Sequence, residues 1–160
     1  DVYKRQPPTR RGKRGQGRIA LHYHPLGRSI VPKVINIRTE YRSEMVDITA
    51  LVQKEVTESG VADGVCIVYV PHTTAGVTIN EGADPDVCRD IITKLNEMVP
   101  ADAGYRHMEG NSDGHIKASL VGSSVSIIVE KRRLVLGTWQ KIFFCEFDGP
   151  RSRRVYVKAG

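Results

Sequence analysis

Beyond the first thirty residues the chain has three histidines, His72, His107 and His115, and none falls inside a segment patterned as a strand or helix interior. His72 follows Pro71 at the end of an apolar run, and the other two bracket "HMEGNSDGH". Three imidazoles at element ends can supply three nitrogen ligands to a divalent metal and leave a position open for water or substrate. A divalent ion, zinc or magnesium, is the candidate cofactor, with Asp113 and Glu109 as candidate oxygen ligands for magnesium. The spacing matches no standard zinc motif, so the alternative of unrelated loop histidines stands beside the metal reading.

The carboxylates divide by position. Asp84 and Asp86 open a helix, where the macrodipole favours acids. Glu81 ends a strand beside Asn80 and precedes Gly82, a place from which a carboxylate can be aimed into a cleft. Glu81, Asp113 and Glu109 are therefore the candidate proton acceptors. The backbone of Asn111–Gly114, rich in small and turn-forming residues, can approach an anion closely, with Lys117 just beyond. It lacks a phosphate-loop or dinucleotide pattern, and a plain Asx-rich turn is its ordinary reading. In "FDGPRSRR", Arg151 can grip a phosphate bidentately, with Asp148 orienting it, or can make a surface ion pair. "LGTWQ" carries the one tryptophan, Trp139, next to Gln140 at a strand entrance; core packing is its alternative role.

The elements that must position these groups are legible from periodicity. "VPKVINIRTEY" (31–41) alternates as a strand. Asp47 is placed to cap "ITALVQKEVTESG", where Ile48, Leu51, Val52 and Val56 share a helical face and Gly60 ends it. "GVCIVYV" (64–70) is a near-continuous apolar run, which predicts a strand covered on both faces. "AGVTIN" (75–80) reads as a strand and as its hairpin partner. "DPDVCRDIITKLNEMVP" (84–100) predicts a helix with Asp84 as cap, Pro85 at the first position and Val87, Ile91, Leu95 and Met98 as its stripe. Strands follow at 124–130, 138–147 and 153–159, with 105–119 as an irregular polar segment. The order β-α-β-β-α-β-β-β predicts a single compact α+β domain of largely antiparallel sheet layers with two main helices.

With 160 residues, 40 % of them hydrophobic, the chain suffices for one core. No apolar run approaches the roughly 20 residues of a membrane span, and no signal-peptide pattern opens the chain. Three widely spaced cysteines without a CxxC pair predict reduced thiols used as core filler in a cytoplasmic protein. The net charge of +6 sits in the tail: residues 1–30 hold eight basic residues against one acidic, and the remainder 16 against 17. Nonspecific contact of that tail with RNA or anionic surfaces follows from charge alone; a disordered extension without a role is the expectation, and no specific nucleic acid or membrane partner. "DVYKRQ" also matches the translation of a sequencing-library transposon adapter, so residues 1–30 are expected to be partly an artefact and residues 31–160 the domain.

"HTTAGVTINEGADPDVCRD", "YRHMEGNSDGHIKASLVG" and "LGTWQKIFFCEFDGPRSRRV" resemble the successive motifs of the YjbQ family, the secondary thiamine-phosphate synthase family, from about Val31 to Lys158. The resemblance implies a compact α+β subunit in a homotrimer, with sites near subunit boundaries. It carries over His72, Thr73, Thr74, Asn80 and Glu81; His107, Asn111, Asp113, His115 and Lys117; and Gly137, Thr138, Trp139, Gln140, Glu146, Asp148 and Arg151. It also strengthens the expectation of a zinc-like ion on His72, His107 and His115. Two departures stand out. Lys131-Arg132-Arg133 replaces an Asp-Gly turn, and Gly114 replaces an alanine.

The implied activity is metal-assisted chemistry on phosphorylated small molecules: joining hydroxymethylpyrimidine diphosphate to thiazole phosphate with loss of pyrophosphate. Such chemistry calls for cations and N–H donors around a departing anion. Glu81, Asp113 and Lys117 would be the catalytic groups, and Asn111, Thr73, Thr74, Trp139, Gln140 and Arg151 would bind substrate. The competing expectations are a metal- or anion-binding homotrimer without turnover, and a metal-dependent phosphate-ester hydrolase.

Overall fold

A computed structural model of the chain describes residues 31–160. The expectations for residues 1–30 lie outside the described residues. The elements in chain order are β1 (Lys33–Arg38), β2 (Glu44–Asp47), α1 (Thr49–Ser59), β3 (Gly64–Tyr69), β4 (Ala75–Glu81), α2 (Pro85–Met98), α3 (Ser112–Val121), β5 (Ser124–Glu130), β6 (Arg133–Leu134), β7 (Gln140–Glu146) and β8 (Ser152–Ala159). The strands form a five-stranded sheet, β1-β8-β3-β5-β6, and a three-stranded sheet, β2-β7-β4, antiparallel throughout.

Alternation builds the first core. Ile35, Ile37, Cys66, Val68, Ile127, Val129, Val155 and Val157 line the inner face of the large sheet. They meet Ala75, Val77, Ile142 and Phe144 of the small sheet, together with Ile48, Val52 and Val56 around α1. The other face of β7 turns Phe143 and Cys145, with Phe147 beyond, toward Ala118 and Val121 of α3 and Cys88, Ile92 and Leu95 of α2. The molecule is thus a two-sheet sandwich with α2 and α3 as a third layer. The α+β class holds, and all three cysteines are free thiols, Cys66 and Cys145 buried in the core. No helix of the described residues is long and apolar enough to cross a membrane.

Four expectations are corrected. The segment read as irregular contains α3, a third helix whose buried residues are Asp113, Gly114, Lys117 and Ala118. A helix that buries an ion pair instead of an apolar stripe leaves no hydrophobic periodicity to detect. β4 is not the hairpin partner of β3; the chain crosses from the large sheet to the small one at residues 70–74. β3 is not covered on both faces, since Val65, Ile67 and Tyr69 remain 43–46 % exposed on the outer side. α1 begins one residue later than Asp47 predicts, although Asp47 Oδ1 still accepts from the backbone N–H of Thr49. At α2 the capping is as expected, with Asp84 Oδ1 accepting from Asp86 N–H and Pro85 in the first turn.

The β5–β6 hairpin turns on two residues, Lys131 (φ 50°) and Arg132 (φ 66°), both left-handed. Positive φ at both central positions is the type I′ geometry that selects Asp-Gly or Asn-Gly. The Lys-Arg departure therefore places two long side chains where Cβ is disfavoured. The tip is tied down through Lys131 N–H to Asp63 Oδ1 and Arg132 N–H to Ala62 O.

Candidate functional site

The polar residues collect around the α3 end of β4. α3 can lie this close because Gly76 of β4 has no side chain: a Cβ there would stand 2.5 Å from Gly122 O. The Val77 N–H to Gly122 O bond joins the two elements. Two buried charged networks frame the region.

In the first, Glu146 is fully buried at the end of β7. Its Oε1 accepts from the backbone N–H groups of Phe147 and Asp148, and its Oε2 accepts from Thr39 Oγ1. Arg153 forks onto both oxygens and also donates to Thr74 Oγ1 at 2.9 Å. Thr74 and Thr39 are buried as well. The next residue, Arg154, donates its backbone N–H to His72 Nε2 at 3.0 Å, so the buried fork and the placement of His72 are linked through two adjacent residues of β8.

The second network runs along α3. Asp113 Oδ2 meets Lys117 Nζ at 2.9 Å, one turn on, and Asp113 Oδ1 meets Arg42 at 2.9 Å. Lys117 Nζ also donates to Asn96 Oδ1 of α2 at 2.6 Å. Burial by itself would raise the Asp113 carboxyl, but the hydrogen bond and charge of Lys117, with Arg42, outweigh it and hold Asp113 below the usual carboxylate range. Asn111 donates to Asp148 Oδ2 at 2.9 Å, and Arg151 donates to the same oxygen at 2.8 Å.

These contacts revise the roles expected of several residues. Asp113 has both oxygens engaged by cations and is depressed, which is wrong for a proton acceptor. Lys117 is 2 % exposed and committed to Asp113 and Asn96, so its ammonium locks α3 to α2 rather than meeting an anion. Asn111 and Thr74 are buried in the networks, whereas Thr73 lines a cavity. Arg151 is half-exposed and paired with Asp148. Glu81, Trp139 and Gln140 gather at the far end of β4: Glu81 is the register partner of Gln140, and Gly82 N–H donates to Trp139 O. The seven residues of β4 put that end about 20 Å away. Within one chain Glu81 cannot act with the histidines, and Trp139, 64 % exposed, is not core.

Among the histidines, His107 and His115 come together edge to face, ring centroids 5.3 Å apart at 80°. His107 Nε2 also lies 3.6 Å from Glu109. The pair borders a cavity of about 440 Å³ with Tyr105, Arg106, Ser112 and Ile116. A second cavity of about 400 Å³, lined by His72, Thr73, Ser119 and Ser123, shares His115 as its wall. Two of the three rings thus form a pair, and the third faces one of them across a cavity. His72 Nε2 accepts from Arg154, which leaves the proton on Nδ1 and makes the ring a donor rather than a metal ligand. Its burial, then the nearby Arg153 charge, lowers its proton affinity and keeps it neutral. Among the described residues no three His, Cys, Asp or Glu side chains converge to hold an ion by themselves.

Sequence reasoning missed Arg42, Asn96 and Arg153. Arg153 carried a usable signal: it shares the inward parity of Val155 and Val157, so a charge there demands a buried partner. Glu146, inside "IFFCEF", carries the matching signal. Arg42 and Asn96 offered none.

Residues 33–160 match the family model described as "UPF0047 protein YjbQ-like". The chain belongs to the YjbQ family. A UPF0047 protein of Methanocaldococcus jannaschii is 56 % identical over 122 residues, 76 % of this chain and 88 % of that protein. The UPF0047 protein YugU of Bacillus subtilis is 52 % identical, over 79 % of this chain and 96 % of its own. A YjbQ/UPF0047 crystal structure from Clostridium acetobutylicum superimposes with a TM-score of 0.79 at 55 % identity, covering 80 % of this chain and 99 % of that one. A YjbQ-like protein of unknown function from Sulfolobus solfataricus gives 0.78 at 34 % identity, over 81 % and 95 %. These YjbQ-family proteins are named only as UPF0047 proteins or as being of unknown function. The expectation of thiamine-phosphate synthase activity is overturned by them, and the transferase class loses its support.

Proposed function

We propose that this YjbQ-family protein is a divalent transition-metal-binding protein whose ion sits on His107 and His115. The observation that carries the reading is the edge-to-face imidazole pair. Two imidazoles bound about 2.1 Å from one tetrahedral ion place their ring centroids about 5 Å apart, and this pair stands at 5.3 Å. A nitrogen donor set suits zinc and its neighbours rather than magnesium, which prefers oxygen. A bound ion would supply a Lewis acid with positions left for water and a ligand, the arrangement of an open centre rather than a closed structural one.

The surrounding residues support a small anionic ligand. Arg106 borders the cavity beside the pair, and Thr73, Ser119 and Ser123 offer hydroxyls in the adjoining one. His72, neutral and protonated on Nδ1, adds an N–H donor there, and the two buried networks fix the backbone on which these groups stand.

The test is zinc titration of the chelator-stripped protein by calorimetry. One ion per chain is expected, with affinity lowered about 100-fold or more in His107→Ala and in His115→Ala and held within a few-fold in His72→Ala. Unaltered zinc binding in the first two variants, or none in the parent, would sink the proposal.

A further inference from the structure

We infer that the protein binds a small zwitterion, one ammonium and one carboxylate on a short carbon chain, in a cavity at the end of the sandwich remote from the histidines. The cavity, of about 420 Å³, lies between the C-terminal turn of α1 and the paired ends of β1 and β8. That volume is in the range of small-ligand pockets. Charged side chains of both signs border it: Glu55 and Glu58 from α1, Lys33 from β1 and Lys158 from β8. No residue lines both this cavity and either histidine cavity. Arg154, which meets His72, and Lys158 are four residues apart on β8, about 13 Å.

The inference is carried by charges that share one space without neutralising one another. Among the described residues the side chains of Lys33, Glu55 and Lys158 have no hydrogen bond or ion pair, and Glu55 Oε2 is buried with no donor in reach. A buried carboxylate oxygen left without a donor is costly, and native chains hold few of them. Lys33 repeats the pattern on the strand side. It shares the inward parity of Ile35 and Ile37. On β8 the inward Arg153 has its fork in Glu146, whereas the inward Lys33 of β1 faces open space.

α1 adds a field of definite sign. Glu55 and Glu58 stand near its C-terminus, where the macrodipole favours cations, and its last turn holds no basic residue. Glu58 has the exposed Lys54 at 3.8 Å. An ammonium seated here meets a carboxylate and a helix end together. A carboxylate on the same molecule reaches the lysines across the cavity. A simple cation would leave Lys33 and Lys158 facing it, and a simple anion would face Glu55 and Glu58, so the ligand that fits carries both signs.

Amide chemical-shift titration of the full chain tests this. The probes are L-alanine and 4-aminobutyrate, whose two charges stand one and three carbons apart, with butylamine and butyrate as single-charge controls. At least one zwitterion is expected to give saturable shifts at Gly60, Val61 and Lys158, with affinity about tenfold or more above either control. Glu55→Gln and Lys33→Met should each weaken that binding about tenfold or more. His107→Ala should bind like the parent, so this site and the metal centre fail separately. In the empty protein Glu55→Gln should leave the urea midpoint unchanged or raised, because it strands no partner. The inference is overturned by absence of saturable shifts with both zwitterions, by a control that binds as tightly, or by unaltered affinity in either variant. Equal destabilisation by Glu55→Gln and Lys33→Met would overturn it too, since the two charges would then be each other's partners.

Discussion

The two kinds of polar cluster around β4 do opposite things with the same chemical vocabulary. Glu146–Arg153 and Asp113–Lys117 are charged pairs under 10 % exposed, with their oxygens and nitrogens occupied by named partners. His107 stands on a loop, with only the exposed Glu109 near its Nε2 at 3.6 Å, and His115 is half-buried on α3, with cavities on either side of the pair. Groups that fold the chain have spent their hydrogen-bonding capacity on it; groups that can meet a ligand have not. The residue types most readily taken as catalytic, a buried aspartate and lysine one helical turn apart, are here the frame, and the less constrained imidazoles are the proposed site.

The contrast predicts a steep gradient of effects. Glu146→Gln should cost the most, about 3–5 kcal/mol in urea denaturation, because it strands the Arg153 guanidinium in a fully buried position. A loss below about 1 kcal/mol would break the comparison, because the network would then be ornamental. Asp113→Asn should cost somewhat less and reshape the acid limb. Since Asp113 lies below the usual carboxylate value when folded, the unfolded chain takes up the proton first as pH falls. The stability it contributes is complete above about pH 4 and is lost as pH falls through the folded value. The asparagine variant should show a shallower decline below pH 4 in the same measurement.

On the rim the prediction reverses. His107→Ala should alter folding stability by about 0.5 kcal/mol or less while removing zinc affinity, which is the sharpest separation of site from frame. The hairpin tip separates conformation from chemistry, being exposed like the rim but strained. Arg132→Gly should raise stability by about 1 kcal/mol by relieving a left-handed side chain, measured as a higher urea midpoint at constant slope. The smallest effect belongs to His72. Its folded proton affinity is depressed below the ordinary value of 6.5, so its neutral form contributes stability above that pH and loses it as pH falls toward the folded value. A proton NMR titration midpoint at or above 6.5 would remove the account of this half-buried ring as a neutral donor.

Legibility followed the kind of force at each place. The bounds of α2 could be read directly, since Asp84 and Pro85 are local signals. Its packed face is Cys88, Ile92 and Leu95 rather than the expected Val87, Ile91, Leu95 and Met98, and Met98 is 62 % exposed. α3 could not be read, because its buried face holds Asp113 and Lys117, and a period of charges looks like a solvated loop until the partners on Arg42 and Asn96 are seen. The outward half of β3 misled, because its apolar Val65, Ile67 and Tyr69 stay 43–46 % exposed among the described residues. Of the candidate site, the histidines were visible as residue types, but the pairing of two of them was not. Nor was the separation of Glu81, Trp139 and Gln140, which is a matter of which end of β4 each occupies.

Composition, periodicity and capping residues by themselves determined one α+β domain of antiparallel strands, the existence of α1 and α2, and membership of the YjbQ family through its ordered motifs. These depend on forces acting within a few residues, or on resemblance along the chain. Which charges are paired, which rings meet and which sheet face stays bare were decided only when strands from opposite ends of the sequence came into register. The contacts that tie the short-range pairs in place, Lys117 to Asn96, Asp113 to Arg42, Arg153 to Thr74 and Glu146 to Thr39, join residues 21 to 107 positions apart, and no local preference encodes them.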